Sequence, residues 1–142
     1  TETELKERFK KFSIRIIKMV DCLPNTLSAR AIGGQAVRSG TSPGANYRAA
    51  CIAKSEKDFL NKLKIVEEEL DETCHWIELI IESGMLPKER MEPLCDECKE
   101  LLSIIDVQLL PQGSIWRNNK FEIVKLSNSE ILKRVRQIEI KT

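Results

Sequence analysis

Residues 37–51 read Val-Arg-Ser-Gly-Thr-Ser-Pro-Gly-Ala-Asn-Tyr-Arg-Ala-Ala-Cys, a run of small residues and one proline set inside a long helical pattern. In a helix interior each glycine costs about 1 kcal/mol relative to alanine, and proline about 3. Something must offset that cost. Close backbone packing that only small side chains permit is the expected source, which points to a helix wedged between neighbours rather than one lying on a surface. Pro43 has no N–H to give the Ser39 carbonyl, so a kink is expected there.

Helix is also the only strong period elsewhere. Leu5, Phe9, Phe12, Ile16, Met19 and Leu23 step by four and three, marking an amphipathic helix to about Asp21. Leu23-Pro24-Asn25-Thr26 ends it, with Asn25 or Thr26 as candidate cap of a second helix from about Leu27. Ser55-Glu56-Lys57-Asp58 resembles a capping signal for a third helix, whose apolar positions are Phe59, Leu63, Val66, Leu70, Thr73, Ile77 and Ile80. Ser83-Gly84 closes it, and Pro87 is expected at the first position of a fourth helix through Met91, Leu94, Cys98, Leu101 and Ile105. Short connections favour antiparallel neighbours. Residues 1–110 therefore read as an all-α, antiparallel up-down four-helix bundle. Residues 111–142 read as a short basic C-terminal extension with an extended segment at 121–126 and a short helix after Ser127-Asn128-Ser129-Glu130.

At 142 residues the chain can bury a sizeable core, and 5% aromatic content makes that core aliphatic. No run of about 18 uncharged apolar residues is present, so no membrane contact is expected. The start, Thr1-Glu2-Thr3-Glu4, does not read as a signal peptide. The odd count of five cysteines fits reduced thiols acting as small hydrophobes. Together these features predict a cytoplasmic location.

The net charge is +1, but it is unevenly spread. Residues 1–24 carry six basic and four acidic side chains, and 25–57 carry five and one. Residues 58–86 carry two and eight, 87–110 three and six, and 111–142 seven and three. A basic side and an acidic side follow, suited either to nucleic acid or to a neighbouring subunit.

At about 100° per residue, Arg30 and Arg48 share an azimuth on the second helix, with Arg38 about 80° away. With Lys54 and Lys57, and Lys133, Arg134 and Arg136 from the extension, they are the candidate phosphate contacts. The competing reading pairs Arg38 with a third-helix carboxylate. Glu67 and Glu69 flank the apolar stripe, and one of them facing Arg38 and Asn46 would fix the register of helix packing. Trp76 lies off the strict stripe and is a candidate oligomer-interface anchor, with base stacking as the alternative. Cys95-x-x-Cys98 with Cys74 or His75 invites a zinc reading, yet adjacent Cys74 and His75 diverge by about 100° on a helix. Buried thiols, and no metal or cofactor, are expected. No nucleophile joins the carboxylates, and the glycines lack phosphate-loop spacing, so no enzymatic activity is expected.

Arg38-Ser39-Gly40-Thr41-Ser42-Pro43-Gly44-Ala45-Asn46, the helix start Ser55 to Phe59, and the Glu-rich run Val66 to Thr73 together carry a resemblance. The chain resembles the four-helix-bundle proteins encoded in intervening sequences of bacterial 23S ribosomal RNA genes, over about residues 5–108. That resemblance implies a left-turning bundle assembled into a homopentamer. It extends distantly to the accessory proteins of diversity-generating retroelements, basic pentamers that engage a reverse transcriptase and nucleic acid. The Ala-Glu-Gly that many members carry after the Asn is absent here, where Arg48-Ala49-Ala50 stands, which makes this helix more basic. Most members have no established activity. The combined expectation is a non-enzymatic homo-oligomeric accessory factor associated with RNA, with a reverse transcriptase as a further possible partner. The alternative is a protein-interaction scaffold with no nucleic-acid role.

Overall fold

Four capped helices follow one another in a computed structural model that describes residues 1–110 and the backbone of 114–117 and 120–123. Helix α1 spans Glu2–Asp21, α2 Leu27–Cys51, α3 Glu56–Glu82 and α4 Lys88–Leu109. Thr1 caps α1 by accepting the Glu4 N–H at 3.1 Å, while the Glu4 side chain reaches back to the Thr1 nitrogen. Thr26 caps α2 through the Ala29 N–H at 3.2 Å, and Ser55 caps α3 through the Asp58 N–H at 3.1 Å. At the far end of α3, Gly84 adopts φ +74°. The Met85 N–H then reaches the Ile80 carbonyl and the Gly84 N–H reaches that of Ile81. This paired closure requires a left-handed residue, which glycine supplies without a Cβ penalty. Pro87 stands one place earlier than expected, as the N-cap of α4, and makes no side-chain capping bond.

The stepped apolar positions all turn inward. Leu5, Phe9, Phe12, Ile16 and Met19 of α1 are buried, as are Phe59, Leu63, Val66, Leu70, Thr73, Ile77 and Ile80 of α3. Met91, Leu94, Cys98, Leu101 and Ile105 of α4 complete the core. Partner numbers fall along one helix as they rise along its neighbour. Phe9, Ile16 and Val20 of α1 face Gly44, Gly40 and Gly33 of α2, and Glu67 and Cys74 of α3 face Asp106 and Cys98 of α4. Consecutive helices are therefore antiparallel, and the all-α up-down bundle is observed.

Helix α2 shows where its small residues are used. A Cβ at Gly40 would lie 2.7 Å from Ile16 Cγ2, and one at Gly33 would lie 3.0 Å from Leu23 Cδ1. On its other side, buried Ser39 accepts a hydrogen bond from Thr73 Oγ1 at 3.0 Å. The helix is gripped by α1 and α3 together, and it continues without a break through Pro43. Thr41 Oγ1 donates back to the Val37 carbonyl at 2.7 Å in that stretch, and Ser13 of α1 donates to the Gly40 carbonyl at 3.3 Å.

The α4–α1 seam is the loosest of the four. Arg8 spans it, with Nε 2.7 Å from Glu97 Oε1, Nη2 2.9 Å from Glu97 Oε2, and Nη2 2.8 Å from Glu100. Beyond the bundle, β1 (Ser114–Arg117) and β2 (Lys120–Ile123) pair antiparallel, with Trp116 opposite Phe121. The extended candidate at 121–126 overlaps β2. The expected helix after Glu130, with Lys133, Arg134 and Arg136, lies outside the described residues. No helix among the described residues is long and apolar enough to cross a membrane.

Candidate nucleic-acid interface

The cations divide into those a carboxylate holds and those none holds. Lys62 pairs with Asp58, Lys64 with Glu67, Lys88 with Glu92 at 3.7 Å and Lys99 with Glu78 at 4.0 Å, so every lysine of α3 and α4 except Lys57, in the first turn of α3, is matched. Lys6, Lys10 and Arg8 of α1 are matched as well. What remains without a carboxylate among the described residues is concentrated on α1, on α2 and in the turn after it.

Of the α2 candidates, Arg38 is neutralised. Its Nη1 lies 3.1 Å from Glu69 Oε2 and its Nη2 is bound by Glu72 Oε1, and these hold its pKa above the usual arginine value. In turn Arg38 holds the Glu72 carboxyl below the ordinary carboxylate range. The pairing foreseen between Arg38 and a flanking carboxylate is therefore present through Glu69. Glu72, one turn further along α3, was not foreseen. Asn46 and Glu67 are not part of it. The Asn46 amide donates to the Ser42 carbonyl at 3.0 Å and to Ser42 Oγ at 2.9 Å, staying within α2 because it stands eight residues beyond Arg38 on that helix. Glu67 stands more than a turn before Glu72 and takes Lys64 instead.

Arg30 is exposed and bound only by the Asn25 amide oxygen at 2.6 Å, which leaves its charge unneutralised. Arg48, Lys54 and Lys57 are exposed near the α2–α3 turn without an ion pair. The shared azimuth of Arg30 and Arg48 does not make one patch, because 18 residues of helix separate them by roughly 27 Å. Arg30 belongs to one end of the bundle, and Arg48, Lys54 and Lys57 to the other.

The residue reading passed over a third group. Lys11, Arg15 and Lys18 of α1 are exposed, lie at i, i+4 and i+7, and meet no carboxylate. That spacing alone placed them on one face. Arg15 and Lys18 border a groove of about 210 Å³ between α1 and the start of α4, with Met19, Met91 and Leu94 beneath. Arg90 closes its rim, with Nη2 3.4 Å from Cys22 Sγ. No acidic side chain lines this groove.

Trp76 is half-buried against the core, and its indole N–H donates to Glu72 Oε1 at 3.2 Å. His75 stands exposed beside it, ring centroids 5.0 Å apart. The rim Arg38–Glu72–Trp76 is thus one connected polar feature with an aromatic edge. Among the described residues no cluster of three or more His, Cys, Asp or Glu is arranged to hold a metal ion.

One carboxylate pair has chemistry of its own. Asp106 Oδ1 is buried without a hydrogen-bond partner. Burial first, then the hydrogen bond and charge of Glu67, push the Asp106 carboxyl up to about 6, with Lys64 opposing and Asp71 reinforcing the shift. A carboxyl raised in the folded state retains a proton the unfolded chain has lost. Its stabilising contribution is therefore full below about pH 4 and declines as pH rises towards about 6. Asp106→Asn should raise stability at pH 7 by about 1 kcal/mol once solvent screening is allowed for, and should flatten the dependence of Tm on pH across that window. An unchanged profile would show that Asp106 ionises freely.

The class defined by these features is an antiparallel four-helix-bundle protein with uncompensated cations on one half and a carboxylate-rich other half. The family model of the 23S rRNA-intervening sequence protein matches residues 1–106. The chain belongs to that family. A crystal structure of a protein with unknown function from the S23 ribosomal protein family, from Bacteroides thetaiotaomicron, is 33% identical with a TM-score of 0.70. That likeness covers 74% of this chain and 97% of the other. No curated protein matches the chain.

Proposed function

We propose that the protein is a non-enzymatic, homo-oligomeric accessory factor that associates with RNA through phosphate contacts. The observation that carries this reading is the segregation of uncompensated cations: Lys11, Arg15 and Lys18 on α1, Arg30 and Arg48 on α2, and Lys54 and Lys57 beyond it. Exposed cations without carboxylate partners keep their full attraction for phosphate, and they release the counterions of a nucleic acid on binding. Arg38 contributes little to this field, being held by Glu69 and Glu72. A ring of identical subunits, the pentamer implied by the family resemblance, repeats each modest patch and gains affinity by multivalency. Lys133, Arg134 and Arg136 add to the basic surface in this reading.

The test is RNA binding by the purified protein, titrated from low to physiological salt. Affinity should fall linearly on a log–log plot against salt. The charge reversals Lys11→Glu/Arg15→Glu/Lys18→Glu and Arg30→Glu/Arg48→Glu should each lower low-salt affinity about tenfold or more, with helicity by circular dichroism unchanged. Absence of binding at low salt would sink the proposal.

A second reading rests on the opposite signs of the two halves. Residues 1–57 carry eleven basic and five acidic side chains, and 58–110 carry five and fourteen. In a head-to-tail assembly the basic half of one copy meets the acidic half of the next. Light scattering separates the two readings. If the same charge reversals dissolve the oligomer and RNA does not bind, the cations serve subunit contact.

A further inference from the structure

Three thiols collect where α3 meets α4, and the RNA reading uses none of them. Cys74 of α3 and Cys98 of α4 place their sulfurs 2.9 Å apart, and both are free thiols. Cys98 is fully buried, while Cys74 and Cys95 are each 7% exposed. The Cys74 thiol donates to Cys98 Sγ, and the Cys98 thiol donates to the Leu70 carbonyl at 3.3 Å. Apolar packing alone would be served by any small hydrophobe at these positions. A direct sulfur–sulfur contact between two helices is chemically specific, because an S–S bond of about 2.05 Å forms if the sulfurs close by roughly 0.9 Å.

We propose that Cys74 and Cys98 are a redox-modifiable pair that a peroxide converts to a disulfide tying α3 to α4. Cys74 is the attacking thiol. At 7% exposed it is the nearer of the two to solvent, and its hydrogen bond with Cys98 outweighs burial and holds its pKa below the ordinary thiol value. When Cys74 ionises, the Cys98 S–H can swing from the Leu70 carbonyl to the thiolate. The Cys74 thiolate attacks one oxygen of hydrogen peroxide and the O–O bond breaks. This gives Cys74 sulfenic acid and a hydroxide that takes up the proton Cys74 had released, forming the first water. Cys98 then gives up its proton, its sulfur attacks Cys74 Sγ, and the S–O bond breaks. The departing hydroxide and the Cys98 proton form the second water. Two thiols are oxidised and one peroxide is reduced.

The bridge closes a loop running from the last turns of α3, through the Gly84 turn, to the middle of α4. Oxidation therefore ties down the connection between those two helices. In the reduced protein packing, the two thiol hydrogen bonds and the Lys99–Glu78 pair, at 4.0 Å, join them along this stretch, and none of these is covalent.

The test uses the full chain treated with hydrogen peroxide, alkylated with iodoacetamide, digested and mapped by mass spectrometry with and without reductant. A reducible Cys74–Cys98 cross-link is expected, with Cys22, Cys51 and Cys95 remaining alkylatable. Tm of the oxidised protein should rise and return on reduction. Cys95→Ser should keep the cross-link, and Cys74→Ser should lose both the cross-link and the Tm shift. Should Cys74→Ser fail to fold, the peptide map of the unmutated protein decides the matter by itself. A Cys74–Cys95 linkage, oxidation of Cys74 to sulfinic acid without a cross-link, or full retention of all five free thiols would each overturn the proposal.

Discussion

Gly40→Val should lower the unfolding free energy by about 3 kcal/mol, read as a drop in the urea midpoint with an unchanged m-value. The size follows from the wall the new side chain meets. Even the Cβ would stand 2.7 Å from Cγ2, 2.8 Å from Cγ1 and 3.1 Å from Cβ of Ile16, a fully buried residue. Ile16 is β-branched and has essentially one χ1 choice in a helix, so it cannot swing aside. Relief must come from parting α1 and α2, which opens contacts all along the seam. Gly40→Ala is subtler. It gains about 1 kcal/mol of helix propensity and loses about 1–3 to overpacking, for a small net loss. Gly34→Ala is the control. A Cβ there meets nothing within 4 Å, so the propensity gain of about 0.5–1 kcal/mol should appear unopposed as a stabilisation. If Gly40 and Gly34 variants behaved alike, the close-packing account of the small-residue stretch would be wrong.

Arg8→Ala should cost about 2 kcal/mol, the range for losing hydrogen bonds between charged groups at a partly buried site. Arg8 is held by two carboxylates, and Glu97 at 18% exposure keeps little water of its own. Without the guanidinium, Glu97 and Glu100 face each other unneutralised on α4. Arg8→Lys should recover less than half of the loss, because an ammonium cannot match the two-toothed geometry. A double-mutant cycle with Glu97→Gln isolates the pair. Coupling below about 0.5 kcal/mol would place Arg8 among ordinary surface ion pairs.

Much of the fold is legible in the residues because the signals are local. The step of four and three in α3 needs only a periodic stripe and a capping serine, and every position of that stripe is buried. The small-residue stretch announced close packing for the same kind of reason. Gly and Pro are costly in a helix, so their presence calls for a compensating neighbour. The α1 cations were equally legible, since Lys11, Arg15 and Lys18 fall on one face by spacing alone. What spacing does not show is that no carboxylate reaches them, which depends on the neighbouring helices. Other features were out of reach of any local pattern. Nothing near Arg8 in sequence marks Glu97, 89 positions away, as its partner. Azimuth placed Arg30 and Arg48 together, but their distance along the axis puts them at opposite ends.

The sequence by itself determined the four helices, the Ser55 cap of the third, the apolar stripes of the first, third and fourth, and the division of charge between the first and second halves. Periodicity, capping chemistry and composition act within a few residues, so they survive without a fold. Only the tertiary structure decided which cations keep their charge free, which thiols touch, and which glycine lies against Ile16. Those properties depend on distances of 3 Å or so between different helices. A shift of one helical turn along a neighbour would leave every stripe intact and change all of them.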